Sequence, residues 1–285
     1  MIGSPSSRPQ PHEAPAISVQ PKARPLQSGQ SVLMRDRSGM TELKRVEIPV
    51  WAYGHPGVAF GGLVAGLLAG GLDAARVSFR SKASPGTTVR IVTGDGGHRY
   101  LLGEAETPVA DATLDDLAFA MPAVVPAWDD AVAARSRFGA LPHPQPACFG
   151  CGPHRPGEPG LRVFTAPVIG AGVVAGSWKP PADLCVAGVL PREFAWAALD
   201  CPGGWARRLL AGRSRPALTV SLAVKVSRDL VAGGDYVASG WVVNDDSERK
   251  TVVGSALHER GGQLCAVAEA VLVEPRTSVD LSSAT

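Results

Sequence analysis

The feature that most constrains this chain is a pattern that occurs twice: an apolar segment of helix length, then several strand-like runs separated by turn residues. The first helical segment spans 61–75 (GGLVAGLLAGGLDAA), and the second spans 193–210. An apolar helix cannot bury its surface alone, and an antiparallel sheet that curls around it supplies the partner. Two such units in one chain can pair their sheets and cover the edges that one unit leaves open. The pattern predicts an α+β fold with two similar halves, and two unrelated α+β domains are the alternative.

Strand-like runs accompany each predicted helix. They occupy 44–50, 76–83, 87–93 and 98–106 in the first half, and 161–165, 172–178, 217–227, 236–244, 250–259 and 264–273 in the second. Pro-Gly and Gly-rich turns separate them. Apolar residues alternate from Leu218 through Val220 to Val226, which predicts that one face of this strand lies in a core. Residues 112–138 are expected to form a helix interrupted by Pro122 and Pro126.

Composition divides the chain into five parts. Residues 1–39 are rich in Pro, Ser and Gln and lack an apolar segment, which predicts a disordered, dispensable tail and no signal peptide. The first half is expected at 40–140 and the second at 161–275, followed by a short tail at 276–285. Between the halves, 141–160 is rich in Pro, Gly and Cys and can form neither a helix nor a central strand, so we expect a linker there.

The charge balance excludes two classes of partner. The 285-residue chain has 28 basic and 26 acidic residues, well mixed along the sequence, and a net charge of +2. Nucleic acids and acidic membranes select for a concentrated basic face, so neither is an expected partner. No apolar run reaches the roughly 18 residues of a membrane span. The five cysteines are odd in number and widely spread, which predicts reduced thiols and a cytoplasmic location.

A cysteine motif in the linker, Cys148-Phe-Gly-Cys151, raises the question of a metal site. His143 and His154 flank it, so two thiolates and two imidazoles fall within twelve residues. Structural zinc sites usually combine more widely separated pairs that secondary structure holds in place. A redox-active Cys-x-x-Cys begins a helix, whereas a Gly-Pro pair follows here. We therefore expect no metal and no cofactor, and a loop that packs over the sheet at the edge of a pocket.

Asp200 is the leading candidate for a catalytic residue. It ends an apolar helical stretch, FAWAALD (194–200), where a carboxylate is costly to bury unless it is paired or functional. A partly desolvated carboxylate becomes more basic and can activate water. The alternatives are an ion pair with Arg207 or Arg208, and a cap on the turn Cys201-Pro202-Gly203-Gly204. Cys201 follows directly, and because no histidine is near it in sequence, we expect a small buried apolar residue rather than a nucleophile.

Several motifs, in their order along the chain, resemble those of hot-dog thioesterases. Phe60-Gly61-Gly62 stands where that superfamily has His-Gly-Gly, at the entrance to its central helix. The stretch 148–163 (CFGCGPHRPGEPGLRV) is similar to the Cys-Phe-x-Cys-Gly opening of the phenylacetate-pathway type, and 196–206 (WAALDCPGGWA) resembles the helix that carries the catalytic acid. The runs 224–240 and 261–273 resemble the later strands. The resemblance implies an α+β double hot-dog in a single chain.

The resemblance also implies a thioesterase site and assigns residues to it. Asp200 would be the general base or the nucleophile. The amides of Gly61 and Gly62, at a helix start, would polarise the thioester carbonyl. Arg192 occupies the matching helix start in the second half, where it would form an ion pair or meet a phosphate or carboxylate of the substrate. Trp196 is assigned to substrate binding.

Each half lacks one part of such a site. The first half carries Ala69 where an acid is required, and the second carries Arg192 where a glycine is required. In hot-dog dimers of this type the acid and the amide come from different subunits. Two fused halves would therefore build one complete site from Asp200 and the Gly61 end of the other helix. His55, shortly before that helix start, could approach the site.

The predicted activity is hydrolysis of an acyl-CoA or acyl-carrier-protein thioester, and a homodimer is left open. One alternative is an accessory protein that binds acyl thioesters without turnover, which Phe60 in place of histidine and Arg192 in place of glycine would favour. A second alternative is a hot-dog dehydratase or hydratase. That branch has an Asp-x-x-x-x-His signature on its helix, and no histidine follows Asp200 before His258, which disfavours it.

Overall fold

Each half of the chain packs antiparallel strands around one helix. The structure is a computed structural model that describes residues 40–114 and 117–276. The tail predicted at 1–39, and all but the first residue of the tail predicted at 276–285, lie outside the described residues. None of the described helices is both long enough and apolar enough to cross a membrane.

As far as the structure describes it, the first half contains one helix and five main strands. They are β1 (Thr41–Glu47), α1 (Gly61–Ala69), β2 (Ala74–Phe79), β3 (Thr88–Thr93), β4 (Arg99–Leu102) and β5 (Pro108–Thr113). A short hairpin pairs Tyr53–His55 with Val58–Ala59, and 3₁₀ turns lie at Asp95–Gly97 and Glu104–Glu106. Every residue of α1 after Gly61 is buried, as expected for a helix that is apolar on all sides and enclosed by its neighbours.

Helix α2 (Trp128–Arg137) lies between the halves. The second half then contains β6 (Ala166–Pro167), β7 (Val174–Trp178), α3 (Arg192–Leu209), β8 (Leu218–Val226), β9 (Tyr236–Asn244), β10 (Lys250–Glu259) and β11 (Leu264–Val273). A ribbon pairs Val189–Leu190 with Leu230–Val231, and 3₁₀ turns lie at Phe138–Ala140 and Ala182–Leu184. The bounds of β9, β10 and β11 are those predicted from the sequence.

Within the described residues, these eleven strands form one antiparallel sheet in the order β1-β3-β4-β5-β2-β8-β11-β10-β9-β7-β6. The first half contributes β1-β3-β4-β5-β2, and the second contributes β7-β9-β10-β11-β8 with β6 added at its edge. Strand for strand the two arrangements are the same, so the predicted duplication is present in the topology. Strands β2 and β8 join the halves, with Ala74 opposite Lys225 and Ser78 opposite Ser221.

Helices α1 and α3 pack against each other in opposite directions. Gly62 faces Ala197 and Asp200, whereas Gly66, one turn later, faces Glu193. A Cβ atom at Gly62 would lie 2.9 Å from the Cα of Ala197, and one at Gly66 would lie 2.6 Å from the Cα of Glu193. Both separations are too short for a side chain. The two glycines therefore let the helix of one half approach the helix of the other.

The first helix is shorter than predicted. It ends at Ala69, because Gly70 adopts a left-handed conformation with φ of 50° and donates its N–H to the carbonyl of Gly66. Glycine makes this termination at little steric cost. The last residues of the predicted helical segment begin β2 instead.

Two other predicted elements are wrong. The segment 112–138 is not one interrupted helix: β5 continues to Thr113, and α2 begins only at Trp128, after both prolines. The run 161–165 is not a strand of the sheet. The Leu161 N–H donates to the carbonyl of Phe149, and further backbone bonding ties this run to the linker, so its polar groups are satisfied there.

Candidate functional site

Asp200, in the third turn of α3, contacts the start of α1. The Gly62 N–H donates to Asp200 Oδ2 at 3.0 Å, and the Thr219 hydroxyl donates to Asp200 Oδ1 at 3.1 Å. The first N–H groups of a helix have no acceptor within the helix, and the partial positive charge there favours an anion. The predicted closeness of Asp200 to the Gly61–Gly62 helix start is therefore observed, and its chemical role stays a prediction.

Neither nearby arginine pairs with Asp200. Arg207 is buried and binds the Glu274 carboxylate, and Arg208 donates to the carbonyl of Ser214 at 3.1 Å. Both guanidinium groups are thus bound to segments outside α3. The alternative in which Asp200 is the ion-pair partner of these arginines is wrong.

Burial raises the pKa of Asp200 from an ordinary 3.8 to about 6. The hydrogen bond from Thr219 lowers this pKa, the neighbouring Cys148 raises it, and the Gly62 N–H lowers it. The residue keeps part of its surface accessible on the side of a cavity. A carboxylate with this pKa is mostly ionised at pH 7 and accepts a proton more readily than an ordinary aspartate.

The cavity has a volume of about 520 Å³ and is lined by residues of both halves and of the linker. Gly61, Thr219, Cys148 and Cys201 line it near Asp200. Among the described lining residues, Asp200 is the one carboxylate. A cavity of this size suits a small ligand or one segment of a longer ligand.

Six basic side chains line the same cavity, namely Arg80, Lys82, Arg207, Arg208, Arg213 and Arg215. Four of them bind carboxylates of Asp111, Asp245 and Glu274. Lys82 and Arg208 form no ion pair with any described residue, and Lys82 is exposed. These two side chains leave positive charge available to an anionic ligand.

Two histidines also line the cavity, one of them the predicted His55. His55 Nδ1 is buried without a hydrogen-bond partner among the described residues, and burial lowers the pKa of this imidazole. His143 Nδ1 accepts the Gln145 N–H at 3.0 Å, so its Nε2 carries the proton and donates to the carbonyl of Cys151 at 3.0 Å. Because His143 uses both nitrogens and His154 is exposed, the two-thiolate, two-imidazole site weighed for the linker is not assembled.

Solved structures of low sequence identity share this architecture. A tesB protein from Mycobacterium avium subsp. paratuberculosis, 10% identical, aligns with a TM-score of 0.55 over 81% of this chain and 92% of that chain. A protein assigned as thioesterase II from Thermobifida fusca, 16% identical, aligns with a TM-score of 0.52 over 86% and 96%. The dehydratase domain of PpsC from Mycobacterium tuberculosis, 18% identical, aligns with a TM-score of 0.50 over 85% and 97%. The chain is a double hot-dog.

The predicted fold class is confirmed by this likeness, which at such identities concerns the fold alone. No protein-family model and no curated protein matches the sequence. Both thioesterases and dehydratases are present among the structures that share the fold. The activity of this double hot-dog is therefore to be inferred from its own residues.

Among the described residues of this double hot-dog, the second helix start does not repeat the Asp200 arrangement. Arg192 binds Asp73 and lies 3.7 Å from the Asp229 carboxylate, and Ala69 is buried in the core. These ion pairs hold Arg192 away from the cavity, which it does not line. Trp196 is 1% exposed and packs in the hydrophobic core. Neither Arg192 nor Trp196 therefore lines the cavity that Asp200 lines.

Thr219 is a site residue that the strand pattern did not indicate. The register between β8 and β11 shifts between Thr219 and Ser221, which marks a β-bulge. Beyond the bulge the apolar residues of β8 are buried, whereas Val220 is 37% exposed, so the alternation predicted through Val220 is wrong. The extra residue re-aims the strand, and the Thr219 hydroxyl reaches Asp200.

Proposed function

We propose that this double hot-dog hydrolyses acyl-CoA thioesters, with Asp200 as the general base. The observation that carries the proposal is the setting of the Asp200 carboxylate, held by the Gly62 N–H and the Thr219 hydroxyl inside a cavity that both halves line. Hydrogen bonds orient the carboxylate, and no basic residue that the structure describes forms an ion pair with it. A general base needs both conditions, together with access to the reacting water.

In the proposed reaction, Asp200 takes a proton from a water molecule as the water oxygen attacks the thioester carbonyl carbon. The carbon–sulfur bond then breaks, and the CoA sulfur leaves with the electron pair and takes the proton from Asp200. The products are the free acid and CoA. Asp200 ends each turnover ionised, as it began.

The negative charge that forms on the carbonyl oxygen requires a hydrogen-bond donor. The Gly62 N–H is bound to Asp200, which changes the expectation that both glycine amides face the substrate. The Gly61 N–H has no acceptor among the described residues, and Gly61 lines the cavity. We therefore infer that the Gly61 N–H donates to the thioester carbonyl oxygen, and that the partial positive charge at the start of α1 stabilises the negative charge there. Gly62 is then a positioning residue for Asp200.

Acyl-CoA is favoured over an acyl carrier protein by the charge of the cavity. Lys82 and Arg208 form no ion pair with a described residue, so their charges can attract phosphate groups, of which CoA presents more than a carrier-bound pantetheine arm does. The PpsC dehydratase domain, which shares the fold, was solved in complex with C12:1-CoA. The acyl chain would lie along the apolar part of the cavity wall.

The test is the release of free CoA from a panel of aliphatic and aryl acyl-CoAs. The key variant is Asp200→Asn, which keeps the size of the side chain and removes its charge. Asp183→Asn is the matched control, because Asp183 is exposed and does not line the cavity. We expect the control to match the wild type and Asp200→Asn to lose about 100-fold or more of the rate. A wild-type protein that binds acyl-CoA and hydrolyses none would support the accessory-protein alternative instead.

One observation favours a second candidate, hydration or dehydration of an acyl thioester. His55 from the first half and Asp200 from the second half line the same cavity, and His55 Nδ1 has no hydrogen-bond partner among the described residues. Such a reaction requires an acid and a base on opposite sides of one substrate bond. Hydration of an enoyl-CoA that is lost in both His55→Ala and Asp200→Asn, without thiol release, would select this candidate.

A further inference from the structure

Three cysteine thiols meet beside the cavity, and the proposed reaction uses none of them. The Sγ atoms of Cys148, Cys151 and Cys201 all lie within 4.8 Å of one another, and the Cys148–Cys201 separation is 3.9 Å. Zinc–sulfur bonds of about 2.3 Å in tetrahedral geometry place two sulfur ligands about 3.8 Å apart. The cluster therefore has nearly the spacing of a zinc thiolate site, and none of its cysteines forms a disulfide.

The turn that carries two of these thiols is shaped by glycine. The Gly152 N–H donates to the carbonyl of Cys148 at 2.8 Å, which closes the Cys-x-x-Cys turn. A Cβ atom at Gly150 would lie 2.5 Å from the sulfur of Cys201, and one at Gly152 would lie 2.5 Å from the backbone of Cys148. Both glycines are thus needed for the turn to bring its thiols to Cys201 on α3.

The surroundings of the three thiols suit a cation that they share. The Cys148 and Cys201 sulfur atoms are 3.9 Å apart, within hydrogen-bond distance of each other. A metal ion that binds such a group replaces the thiol protons and is held by all the sulfur atoms together. Cys148 and Cys151 are buried, so water has little access to their sulfur atoms.

We propose that Cys148, Cys151 and Cys201 bind one zinc ion, with the fourth coordination position open to the cavity. Thiolates are soft ligands that select zinc among the common divalent metals, and three protein ligands with one open position are typical of reactive zinc sites. All three cysteines line the cavity. The expectation of a metal-free linker considered only its own two thiolates and two imidazoles, whereas the third thiolate comes from α3. The inference does not depend on the thioesterase activity proposed above.

A disulfide between two of the thiols is the competing use of the cluster. It would leave the third thiol unused and would require an external oxidant that accepts two electrons. Zinc binding employs all three sulfur atoms and displaces only their protons. The two uses are distinguishable, because the first appears in the mass of the non-reduced protein and the second in its metal content.

The test uses the full chain, purified under reducing conditions without chelator. We expect elemental analysis to give one zinc per chain. After removal of the metal by a chelator, titration with Co²⁺ should produce the sulfur-to-cobalt charge-transfer absorption, and Zn²⁺ should displace it. Zinc should also raise the midpoint of thermal unfolding of the apo protein, because a metal that binds only the folded chain stabilises it.

The decisive variant is Cys201→Ser, which removes the ligand from α3 and leaves the linker motif intact. We expect its zinc affinity to fall by about 100-fold or more. Cys185→Ser is the matched control, since Cys185 is a free cysteine outside the cluster, and it should bind zinc like the wild type. Circular dichroism of the apo proteins checks that each variant folds, and Cys201→Ala replaces Cys201→Ser if it does not.

Three results would overturn the proposal. The first is the absence of zinc and cobalt binding by the reduced wild type at micromolar metal. The second is a Cys201→Ser protein that binds zinc as tightly as the wild type, which would leave the linker pair alone as ligands. The third is a protein isolated without metal and with a disulfide among Cys148, Cys151 and Cys201, which would assign the cluster to thiol oxidation.

Discussion

Replacement of Asp200 by Asn should lower activity and at the same time raise stability at neutral pH. Burial raises the pKa of Asp200 from 3.8 to about 6, so the ionised form is less stable in the folded chain than in the unfolded chain. At about 1.4 kcal/mol for each pKa unit, this difference corresponds to about 3 kcal/mol at pH 7. The partial exposure of Asp200 screens its charge, and Asn forms poorer hydrogen bonds with Gly62 and Thr219. We therefore expect a net gain of about 1–2 kcal/mol.

The size of this stability difference depends on pH within a defined window. As the pH rises from about 4 to about 6, the unfolded chain ionises Asp200 while the folded chain still retains the proton, so the wild type loses stability relative to Asp200→Asn. Above this window the full penalty is present, and below it both states carry a neutral side chain. The advantage of the variant should therefore be present at pH 7.5 and mostly absent at pH 4.

Urea unfolding of the chelator-treated wild type, Asp200→Asn and Asp183→Asn at these two pH values measures the effect. The Asp183→Asn control should follow the wild type at both, since Asp183 is exposed. An Asp200→Asn protein that is less stable than the wild type at pH 7.5 would show that Asp200 is a structural hydrogen-bond acceptor. Unchanged hydrolysis by this variant would refute its role as the general base.

Three further predictions concern the same site. Gly62→Ala should destabilise the fold by about 1–3 kcal/mol in urea unfolding, because its Cβ would lie 2.8 Å from the Asp200 Cβ. The control is Gly204→Ala, whose Cβ would have no neighbour within 4 Å, and it should stabilise α3 by up to about 1 kcal/mol. The kcat/KM of chelator-treated protein should fall about tenfold per pH unit below about pH 6, since protonated Asp200 cannot accept a proton, and a flat profile would contradict this. Joint replacement of Lys82 and Arg208 by Gln should raise the KM for acyl-CoA and leave that for a phosphate-free thioester unchanged; equal effects on both substrates would exclude phosphate binding.

The sequence by itself determined those parts of this protein that depend on neighbouring residues. The repeated order of an apolar helix followed by strands predicted the duplicated sheet, and the bounds of β9, β10 and β11 followed from alternation and turn residues. Together with the resemblance to hot-dog thioesterases, the acid in one half and the glycine pair in the other also predicted that Asp200 would meet the start of α1, and the Gly62 N–H does donate to it. These features are readable because periodicity, turn residues and a carboxylate in an apolar helix are local properties.

Only the tertiary structure decided which distant side chains share the cavity with Asp200. A bulge in β8 directs Thr219 inward, although the alternation of the strand predicts otherwise. The packing of the linker over α3 brings the sulfur of Cys148 to 3.9 Å from the sulfur of Cys201, although the two residues are 53 positions apart in sequence. Ion pairs at the other end of the helix pair keep Arg192 from the site that its position in sequence suggested. The register of the strands, the packing of the two helices and the partners of the ion pairs all depend on how residues distant in sequence pack together. A local stretch of sequence therefore cannot predict them.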